Sequence, residues 1–305
     1  MPSLFSLTPA VAADTGIHVG DGYLRIKRGS SHGSNQYQVT VHALEDQLYL
    51  IGTVMPTIKA AYGLDRPGLY VNPRQTWISA SYQSKDVALF KHEILGLPNG
   101  RKNNISIPEP IMSDANLMKQ FARELLSTDG LLGFYSAASN AIHKYPRIQI
   151  KLRAGPLIGE VASFLREELG MSVSQRSELV AHEGWGISNQ EILQISNSQD
   201  IETWREEIGF SNPSHISRFM VFENIGECKP RTCVVDRLSF LSGQSTELVP
   251  SDPIAPDDLV SVVSRMRKNF GFPLLEGNEI LRWITRINAH LATKRSRNLP
   301  MLVKQ

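Results

Sequence analysis

The chain has 305 residues, of which 41% are hydrophobic and 20% charged, values that are typical of a soluble globular protein. Lys and Arg number 32 against 30 Asp and Glu, so the net charge of +2 neither requires nor excludes a polyanionic partner. The length predicts about two domains with a sizeable core. It excludes a small scaffold that depends on disulfide bonds or a metal ion for its stability.

Three local features bear on where the protein acts. The most apolar window, 153–165, contains charged residues and stays below the ~20 apolar residues that a membrane-spanning helix needs. Residues 1–20 carry no Lys or Arg and no long apolar core, a pattern that does not favour a cleaved export signal. Cys228 and Cys233 have no second cysteine pair with which to complete a four-ligand metal site. Two cysteines of this kind are typical of a protein in the reducing interior of a cell. We therefore expect a cytoplasmic protein without a membrane partner.

The first hundred residues alternate between helical and strand periodicity. The predicted elements are a helix from Thr8 that ends at Asp21, strands 23–27 and 36–42, a helix 45–61, strands 68–71 and 76–82, and a helix 84–95. Their order is αββαββα.

The same order recurs in the second hundred residues, beginning with Asp114 as the N-cap of a helix through Leu126. The elements that follow are strands 131–136 and 146–153, a helix 157–169, strands 171–182 and 190–196, and a helix 199–208. Asp21 and Asp129 take corresponding places, 108 positions apart. The repeat predicts an α+β fold made of two duplicated αββαββα units.

From Lys229 the pattern changes to a polar, turn-rich stretch and then to two amphipathic helices, 256–269 and 276–294. The basic face of the second of these helices fits either a solvated surface or a contact with phosphates. We divide the chain into a first half, 1–110, a second half, 111–228, and a helical C-terminal extension, 229–305.

Each unit has an Asp-Gly pair at the end of its first helix. An aspartate is unfavourable at a helix C-terminus unless a cation lies nearby, because that end carries partial negative charge. Asp-Gly is also a common turn dipeptide, so one occurrence alone would mean little. Two occurrences in register indicate two carboxylates and helix-end carbonyls that converge on a hard divalent cation such as Mg²⁺.

Residues 14–22 (Asp-Thr-Gly-Ile-His-Val-Gly-Asp-Gly) and 123–130 (Arg-Glu-Leu-Leu-Ser-Thr-Asp-Gly) resemble the two motif helices of single-chain LAGLIDADG homing endonucleases of the archaeal type. The resemblance covers about residues 8–240. Glu124 stands where the family usually has Gly, and Ser127 where it often has an acid. Further segments that resemble the family are Ser84-Lys85, 95–103, 107–109 and 208–216.

The resemblance implies two motif helices packed side by side, with a four-stranded antiparallel sheet in each half that presents a saddle to double-stranded DNA. Small residues at three-to-four-residue spacing in the first helix, including Gly16 and Gly20, favour this close packing. The family's activity would be metal-dependent cleavage of one bond in each strand, by a monomer with internal pseudo-two-fold symmetry. The implied metal ligands are Asp21, Asp129, Gly20 and Thr128, with Mg²⁺ or Mn²⁺ as the ion.

Two more positions, which we take to correspond to each other in the two repeats, are candidates for catalysis. His42 lies 21 residues after Asp21, and Lys151 lies 22 residues after Asp129, each near the end of the second strand of its half. The resemblance implies that residues here order water and the scissile phosphate. A plain surface role at a strand end remains equally open for both.

Polar side chains that alternate along the strands form a candidate DNA-reading surface, because Arg and Gln can bond guanine and adenine edges bidentately. The apolar alternates are then free to be buried under helices, although a solvated amphipathic sheet would fit any single strand. The candidate DNA-binding residues are Arg25, Lys27, Gln36, Gln38, Arg74, Gln75, Arg147, Gln149, Arg153 and Arg176.

Two other classes of function compete with a DNA endonuclease. A DNA- or RNA-binding protein of the same fold that does not cut, such as an intron maturase or a regulator, fits Glu124, Ser127 and the near-neutral charge. An enzyme acting on small molecules is the weakest alternative, because the sequence has no Gly-rich phosphate loop and no G-x-S-x-G motif.

Overall fold

The computed structural model describes residues 5–27, 35–42, 45–71, 77–136, 142–182, 186–241, 243 and 245–248. Arg74, Gln75 and the two helices expected within 256–294 lie outside these residues. Among the described helices, none is long and apolar enough to cross a membrane.

The first half begins with helix α1, whose N-cap Thr8 accepts a hydrogen bond from the Val11 amide through its hydroxyl (3.3 Å). Its elements are α1 (Pro9–Asp21), β1 (Gly22–Arg25), β2 (Gln36–His42), α2 (Gln47–Tyr49, the π-helical Leu50–Val54 and Met55–Tyr62), β3 (Gly68–Val71), β4 (Trp77–Tyr82) and α3 (Lys85–Leu89 and the π-helical Phe90–Ile94). The predicted helix end at Asp21 is confirmed.

The second half repeats this order after a short connecting helix, α4 (Glu109–Met112). Asp114 caps α5 as predicted and accepts hydrogen bonds from the amides of Asn116 (2.8 Å) and Leu117 (3.1 Å). The elements are α5 (Ala115–Asp129), β5 (Gly130–Tyr135), β6 (Tyr145–Arg153), α6 (Pro156–Glu167), β7 (Ser174–His182), β8 (Gly186–Ile195) and α7 (Ser198–Glu207).

Two four-stranded antiparallel sheets have the same strand order, β1-β2-β4-β3 in the first half and β5-β6-β8-β7 in the second. Burial alternates along β2, where Tyr37, Val39 and Val41 face the core. The predicted α+β fold class, with two αββαββα units, is confirmed.

The sheet registers correct one equivalence that the sequence analysis assumed. Gly22 pairs with Val39 in the first sheet, and Gly130 pairs with Ile150 in the second. Because both glycines directly follow the motif aspartates, the position that corresponds to His42 is Arg153. Pairing His42 with Lys151 was wrong, since the second hairpin is three residues longer than the first and counting along the sequence misses this difference.

Helices α1 and α5 pack together along their lengths with backbones in contact. A Cβ atom on Gly16 would lie 2.4 Å from the Phe121 carbonyl oxygen, and one on Gly20 would lie 1.9 Å from the Thr128 hydroxyl. Glycine is therefore required at this approach, as the small-residue spacing of α1 predicts. The hydrophobic core surrounds this helix pair and includes Val11, Ile17 and Leu125.

Two helices that the sequence analysis did not predict follow α7. Helix α8 (Pro213–Ile225) begins after the N-cap Asn212, and helix α9 (Val234–Leu241) packs against it. Arg237 of α9 is fully buried. The division of the chain at residue 228 stays a prediction.

Candidate functional site

The two motif aspartates meet where α1 and α5 end. Asp21 and Asp129 are the last residues of these helices, and the Asp129 Oδ2 atom lies 3.4 Å from the position that a Cβ atom of Gly20 would take. The contact between Gly20 and Thr128 thus brings together the two residues that precede the aspartates. The four predicted metal-site residues form one cluster.

Both aspartates are in an environment that disfavours charge. Burial raises the pKa of the Asp21 carboxyl well above its usual range, and the charges of Asp129 and Asp46 raise it further. Burial also raises the pKa of the Asp129 carboxyl. Lys102 opposes the shift in both cases. Such a concentration of negative charge favours a cation.

Lys102 binds the end of α1. Its ammonium donates hydrogen bonds to the carbonyl oxygens of Val19 (2.8 Å), His18 (3.3 Å) and Gly20. Burial lowers the pKa of Lys102, while the charges of Asp129 and Asp21 raise it. The ammonium therefore offsets part of the negative charge that the helix end and the aspartates create.

Asn212 takes a similar place at the end of α5. Its side-chain amide donates to the Ser127 carbonyl oxygen (2.9 Å) and to Asp46 Oδ1 (2.8 Å). The same side chain accepts a hydrogen bond from the Ser214 amide (2.8 Å) and so caps α8. Asp46, in the loop after β2, is thereby fixed beside the second helix end.

The loop that carries Asp46 is tied to the C-terminal helices. Arg237 Nη2 contacts Glu45 Oε2 (3.3 Å), and the Val234 amide donates to Glu45 Oε1 (3.2 Å). The Ser214 hydroxyl donates to Glu45 as well (3.1 Å). Helix α9 therefore helps to position the loop next to the aspartate pair.

The two residues that depart from the family pattern have other partners. Glu124 is buried and accepts hydrogen bonds from the hydroxyls of Tyr49 (2.8 Å) and Ser211 (2.7 Å). The Ser127 hydroxyl lies 2.6 Å from that of Ser211. Neither residue separates the helices, because the close approach depends on the glycines of α1.

A buried polar cluster lies higher on α1. Asp14 accepts hydrogen bonds from the hydroxyls of Tyr37 and Tyr62 (2.7 Å each) and pairs with the buried Lys91. The His18 ring stacks on Tyr37, and burial lowers its pKa well below the usual range. The charge of Asp14 is thus neutralised within the core of the first half and does not belong to the aspartate pair.

The two candidate catalytic residues outside the pair lie on the sheets. His42 is exposed at the end of β2, where its Nδ1 atom accepts a hydrogen bond from the Glu45 amide (3.1 Å). Lys151 is exposed on β6 and pairs with Glu178 of β7. Their catalytic roles stay predictions.

The outer face of the first sheet carries Arg25, Gln36 and Gln38 on adjacent strands. Gln36 Nε2 donates to Ser81 Oγ (2.6 Å) and to Gln38 Oε1 (3.2 Å), and Arg25 is exposed opposite Gln36. Lys27 lies two residues after Arg25, just beyond the end of β1, so the alternation of the strand assigns both to the same side of the sheet. These side chains form a polar surface on the side of the sheet away from the core.

The outer face of the second sheet carries Arg147, Gln149, Arg153 and Arg176. The Arg147 guanidinium lies 4.0 Å from the centroid of the Tyr135 ring, and Arg153 Nη1 donates to Asn103 (2.8 Å). Gln149 pairs with Gln194 on β8, and Arg176 is exposed on β7. All eight described candidates for DNA binding therefore share the outer faces of the two sheets.

Sequence reasoning missed Lys102, Asn212 and Asp46 as parts of the site. Lys102 follows Asp21 by 81 positions and Asn212 follows Asp129 by 83, so comparing the two repeats could have suggested both. Asn212 also precedes Pro213, a combination that signals a helix start. Nothing in the local sequence marks Asp46.

No protein-family model matches the chain, and no curated protein does. Among solved structures, mesophilic variants of the homing endonuclease I-DmoI are similar to it with a TM-score of 0.46 and 15% identity, covering 66% of this chain and 95% of that chain. A mutant of I-SmaMI gives a TM-score of 0.42 and 12% identity, covering 87% and 97%. The N-terminal LAGLIDADG domain of DUF199/WhiA gives 0.39 and 13%, covering 68% and 85%. The fold described above rests on this chain's own strand order and register.

Proposed function

We propose that the protein is a site-specific double-stranded DNA endonuclease of the single-chain, archaeal-type LAGLIDADG homing endonucleases. A monomer with pseudo-two-fold symmetry hydrolyses one phosphodiester bond in each strand with the help of a divalent cation. The observation that carries the proposal is the meeting of Asp21 and Asp129 at two packed helix ends, where burial raises the pKa of both carboxyls. Such perturbed pairs are typical of functional sites.

The oxygen-rich donor set fits a hard cation. Within the described residues, neither carboxylate of the pair accepts a hydrogen bond, and an ammonium already occupies the carbonyls at the end of α1. Asp21 and Asp129 would hold Mg²⁺ or Mn²⁺, with the main-chain oxygen of Thr128 beside them and the second lone pair of the Gly20 carbonyl oxygen, whose first lone pair accepts from Lys102. When bound, the ion lowers the pKa of a water molecule and offsets charge on the phosphate. The described residues hold no group of three or more His, Cys, Asp and Glu side chains suited to a metal, so DNA and water would complete the coordination.

The remaining parts of the reaction come from the chain itself. Helices α1 and α5 hold the two carboxylates against each other, and Lys102 adds positive charge near the phosphate that enters the site. His42 and Lys151 stay candidates for ordering water. The outer sheet faces would contact the DNA on either side of the cut, with Arg25 and Arg147 placed to meet base edges.

The test uses a supercoiled plasmid that carries the DNA flanking the gene, incubated with and without Mg²⁺. We expect linear product from the wild type only with the cation. D21N and D129N should each abolish double-strand cleavage and retain specific binding, because they remove ligand charge and leave the sheets intact.

D114N is the matched control. It makes the same change at the opposite end of α5, where Asn caps a helix as well as Asp does, so it should cut like the wild type. Cleavage by the D21N/D129N double mutant would place the chemistry elsewhere.

One observation favours the alternative, a DNA- or RNA-binding protein that does not cut. The Lys102 ammonium already neutralises the end of α1, so the pair has a protein cation beside it without any metal. Tight, sequence-specific binding without any cut, across the tested DNA and with either Mg²⁺ or Mn²⁺, would support this alternative.

A further inference from the structure

Two aromatic side chains lie together on the outer face of the first sheet, and the proposed function does not use them. Tyr70 of β3 pairs in register with Ser79, and Trp77 of β4 pairs with His42. The centroids of the Tyr70 and Trp77 rings lie 5.6 Å apart, with an angle of 54° between the ring planes. Strand β3 is an edge strand and Tyr70 is 56% exposed, so this ring is open to solvent.

The strand register places the two rings close to the ends of the motif helices. Gly22 directly follows Asp21 and pairs with Val39 of β2. His42 lies at the end of β2, three residues further along, and pairs with Trp77. This end of the first sheet, marked by His42 and Trp77, is its inner end. With about 4.8 Å between strands and about 3.4 Å per residue, Trp77 lies roughly 14 Å from Gly22.

The second sheet does not repeat the aromatic pair. By the strand registers, Gln190 of β8 is the equivalent of Trp77. Arg176 of β7 is the equivalent of Tyr70 in the same way. Both repeats fold into the same sheet, so the fold itself does not require aromatic side chains at these positions. The pair therefore needs a reason other than stability of the sheet.

The charges on this face suit a polyanion. Within the bounds that the structure gives them, the four strands of the first sheet contain no Asp or Glu. Arg25 is exposed on the same face, at the end of β1. The outward positions between Arg25 and the two rings are polar and uncharged: Gln36, Gln38, Thr40, Ser79 and Ser81. On the second sheet, by contrast, Glu178 lies on the outer face beside Lys151.

An exposed ring on an uncharged polar face with a nearby cation is typical of a site for an unpaired nucleobase. Proteins that bind single strands follow the backbone with positive charge and stack the bases on aromatic side chains. A base pair within a duplex presents only its edges in the grooves, so it cannot stack on Tyr70. A flexible single strand can reach this ring, because the ring lies at the edge of the sheet.

We propose that the protein has a binding site for single-stranded DNA at the inner end of its first sheet, where an unpaired base stacks on Tyr70 beside Trp77. Arg25 contacts a phosphate of the same strand a few nucleotides away. The site needs neither a metal ion nor cleavage, so it goes beyond the proposed function. Only the choice of DNA over RNA rests on that function, which brings DNA strands to this face.

The test measures the affinity for a fluorescently labelled oligo(dT) by anisotropy, in EDTA and at a fixed salt concentration. We expect saturable binding by the wild type. Y70A should weaken this binding roughly 5- to 150-fold, the range for the loss of one stacked base. Y70F keeps the ring and should bind like the wild type. The affinity for a blunt oligo(dA)·oligo(dT) duplex should be the same for Y70A and the wild type.

Y145A is the matched control. Tyr145 lies on β6, on the outer face of the second sheet, and is similarly exposed at 50%. Its removal takes away a tyrosine of the same kind outside the proposed site, so the affinity for oligo(dT) should not change. Circular dichroism checks that both variants are folded.

Tryptophan emission provides a second readout that locates the bound base. The chain has four Trp residues, and a base stacked on Tyr70 lies beside Trp77. Oligo(dT) should therefore quench the emission of the wild type. W77F should lose most of this quench and still bind, because the Tyr70 ring remains.

No saturable binding of oligo(dT), or equal losses of affinity in Y70A and Y145A, would overturn the proposal. So would an equal loss of affinity for the single strand and the duplex in Y70A, since the ring would then contact base edges. Tighter binding of oligo(U) than of oligo(dT) would overturn the assignment to DNA. None of these results bears on cleavage, and a protein that cuts no DNA but binds oligo(dT) through Tyr70 would still support the site.

Discussion

At the scale of single residues, the two buried aspartates are electrostatically unfavourable, and the fold nevertheless holds them together. A raised pKa means that the native state binds a proton at Asp21 more tightly than the unfolded state does. Stability from this group is therefore present at low pH and is lost as pH rises through the range between the unfolded and folded pKa values. Wherever both carboxyls are ionised, the pair destabilises the protein, which is a common property of functional sites.

We expect D21N to stabilise the metal-free protein at pH 7. Asn keeps the shape of the side chain and removes the buried charge, so the free energy of unfolding should rise by on the order of 1 kcal/mol. Urea unfolding between pH 4 and pH 7 measures this gain, which should shrink towards the acid end, where Asp21 is protonated. Mg²⁺ should raise the Tm of the wild type and leave that of D21N unchanged. A D21N protein less stable than the wild type at pH 7 would contradict this account.

The two aspartates could be predicted from sequence because an acidic residue is unfavourable at a helix C-terminus, and one occurs there at the equivalent position of each repeat. Lys102 and Asn212 were not singled out, although they lie in the segments 95–103 and 208–216 that resemble the family, because neither segment shows by itself which atoms its side chains contact. Their contribution depends on which carbonyl they touch, and this only the packed structure shows.

At the scale of elements, the contact between α1 and α5 controls how close the two carboxylates lie. Glycine in a helix interior lowers stability relative to alanine, so its presence in α1 needs a reason in the packing. The reason is the Phe121 carbonyl oxygen, which leaves no space for a Cβ atom on Gly16.

G16A should lower the free energy of unfolding by about 1–3 kcal/mol, since the added methyl group forces the helices apart. G159A is the matched control. It makes the same change inside α6, where nothing lies within 4 Å of the added atom, and it should raise stability by about 0.5–1 kcal/mol. Urea unfolding of both variants tests the pair. Equal stabilisation by the two substitutions would show that the helices are not in backbone contact.

The strands and the helices of the two repeats could be predicted because each is amphipathic and alternation or helical spacing is visible. Helix α8 is different, because polar residues such as His215 and Ser217 are buried among its apolar ones and blur the periodicity. Helix α9 is short, and its central Arg237 is of a residue type that is mostly exposed, yet here it is buried against Ser217 and Ser214.

At the scale of the whole molecule, the two outer sheet faces define an extended polar surface. If this surface binds DNA, log K should fall linearly with log salt, with a slope of roughly 0.9 per neutralised phosphate. Arg25 is exposed at the end of the edge strand β1, whereas the Arg147 guanidinium lies against the Tyr135 ring.

R25A should weaken binding to the preferred site by about 1–3 kcal/mol and relax the preference at particular base pairs. K59A removes one positive charge from the exposed side of α2, in the helical layer, and should change neither quantity. Fluorescence anisotropy compares the DNA affinities of R25A and K59A. It is measured at several fixed salt concentrations and with a set of single-base variants of the site. If R25A leaves both affinity and base preference unchanged, the first sheet does not read DNA.

The ion pair between Glu45 and Arg237 joins residues 192 positions apart, and this separation affects the order of assembly during translation. At typical synthesis rates, roughly 10 to 40 s pass between the two residues. Until Asn212, Ser214 and Arg237 have been made, the loop with Asp46 lacks its full set of contacts, although α1 and the first sheet are already complete. A chain that terminates early, before α9, therefore cannot complete the surroundings of the aspartate pair. If the protein is the proposed nuclease, incomplete translation products would be poor at cutting the chromosome of the cell that makes them.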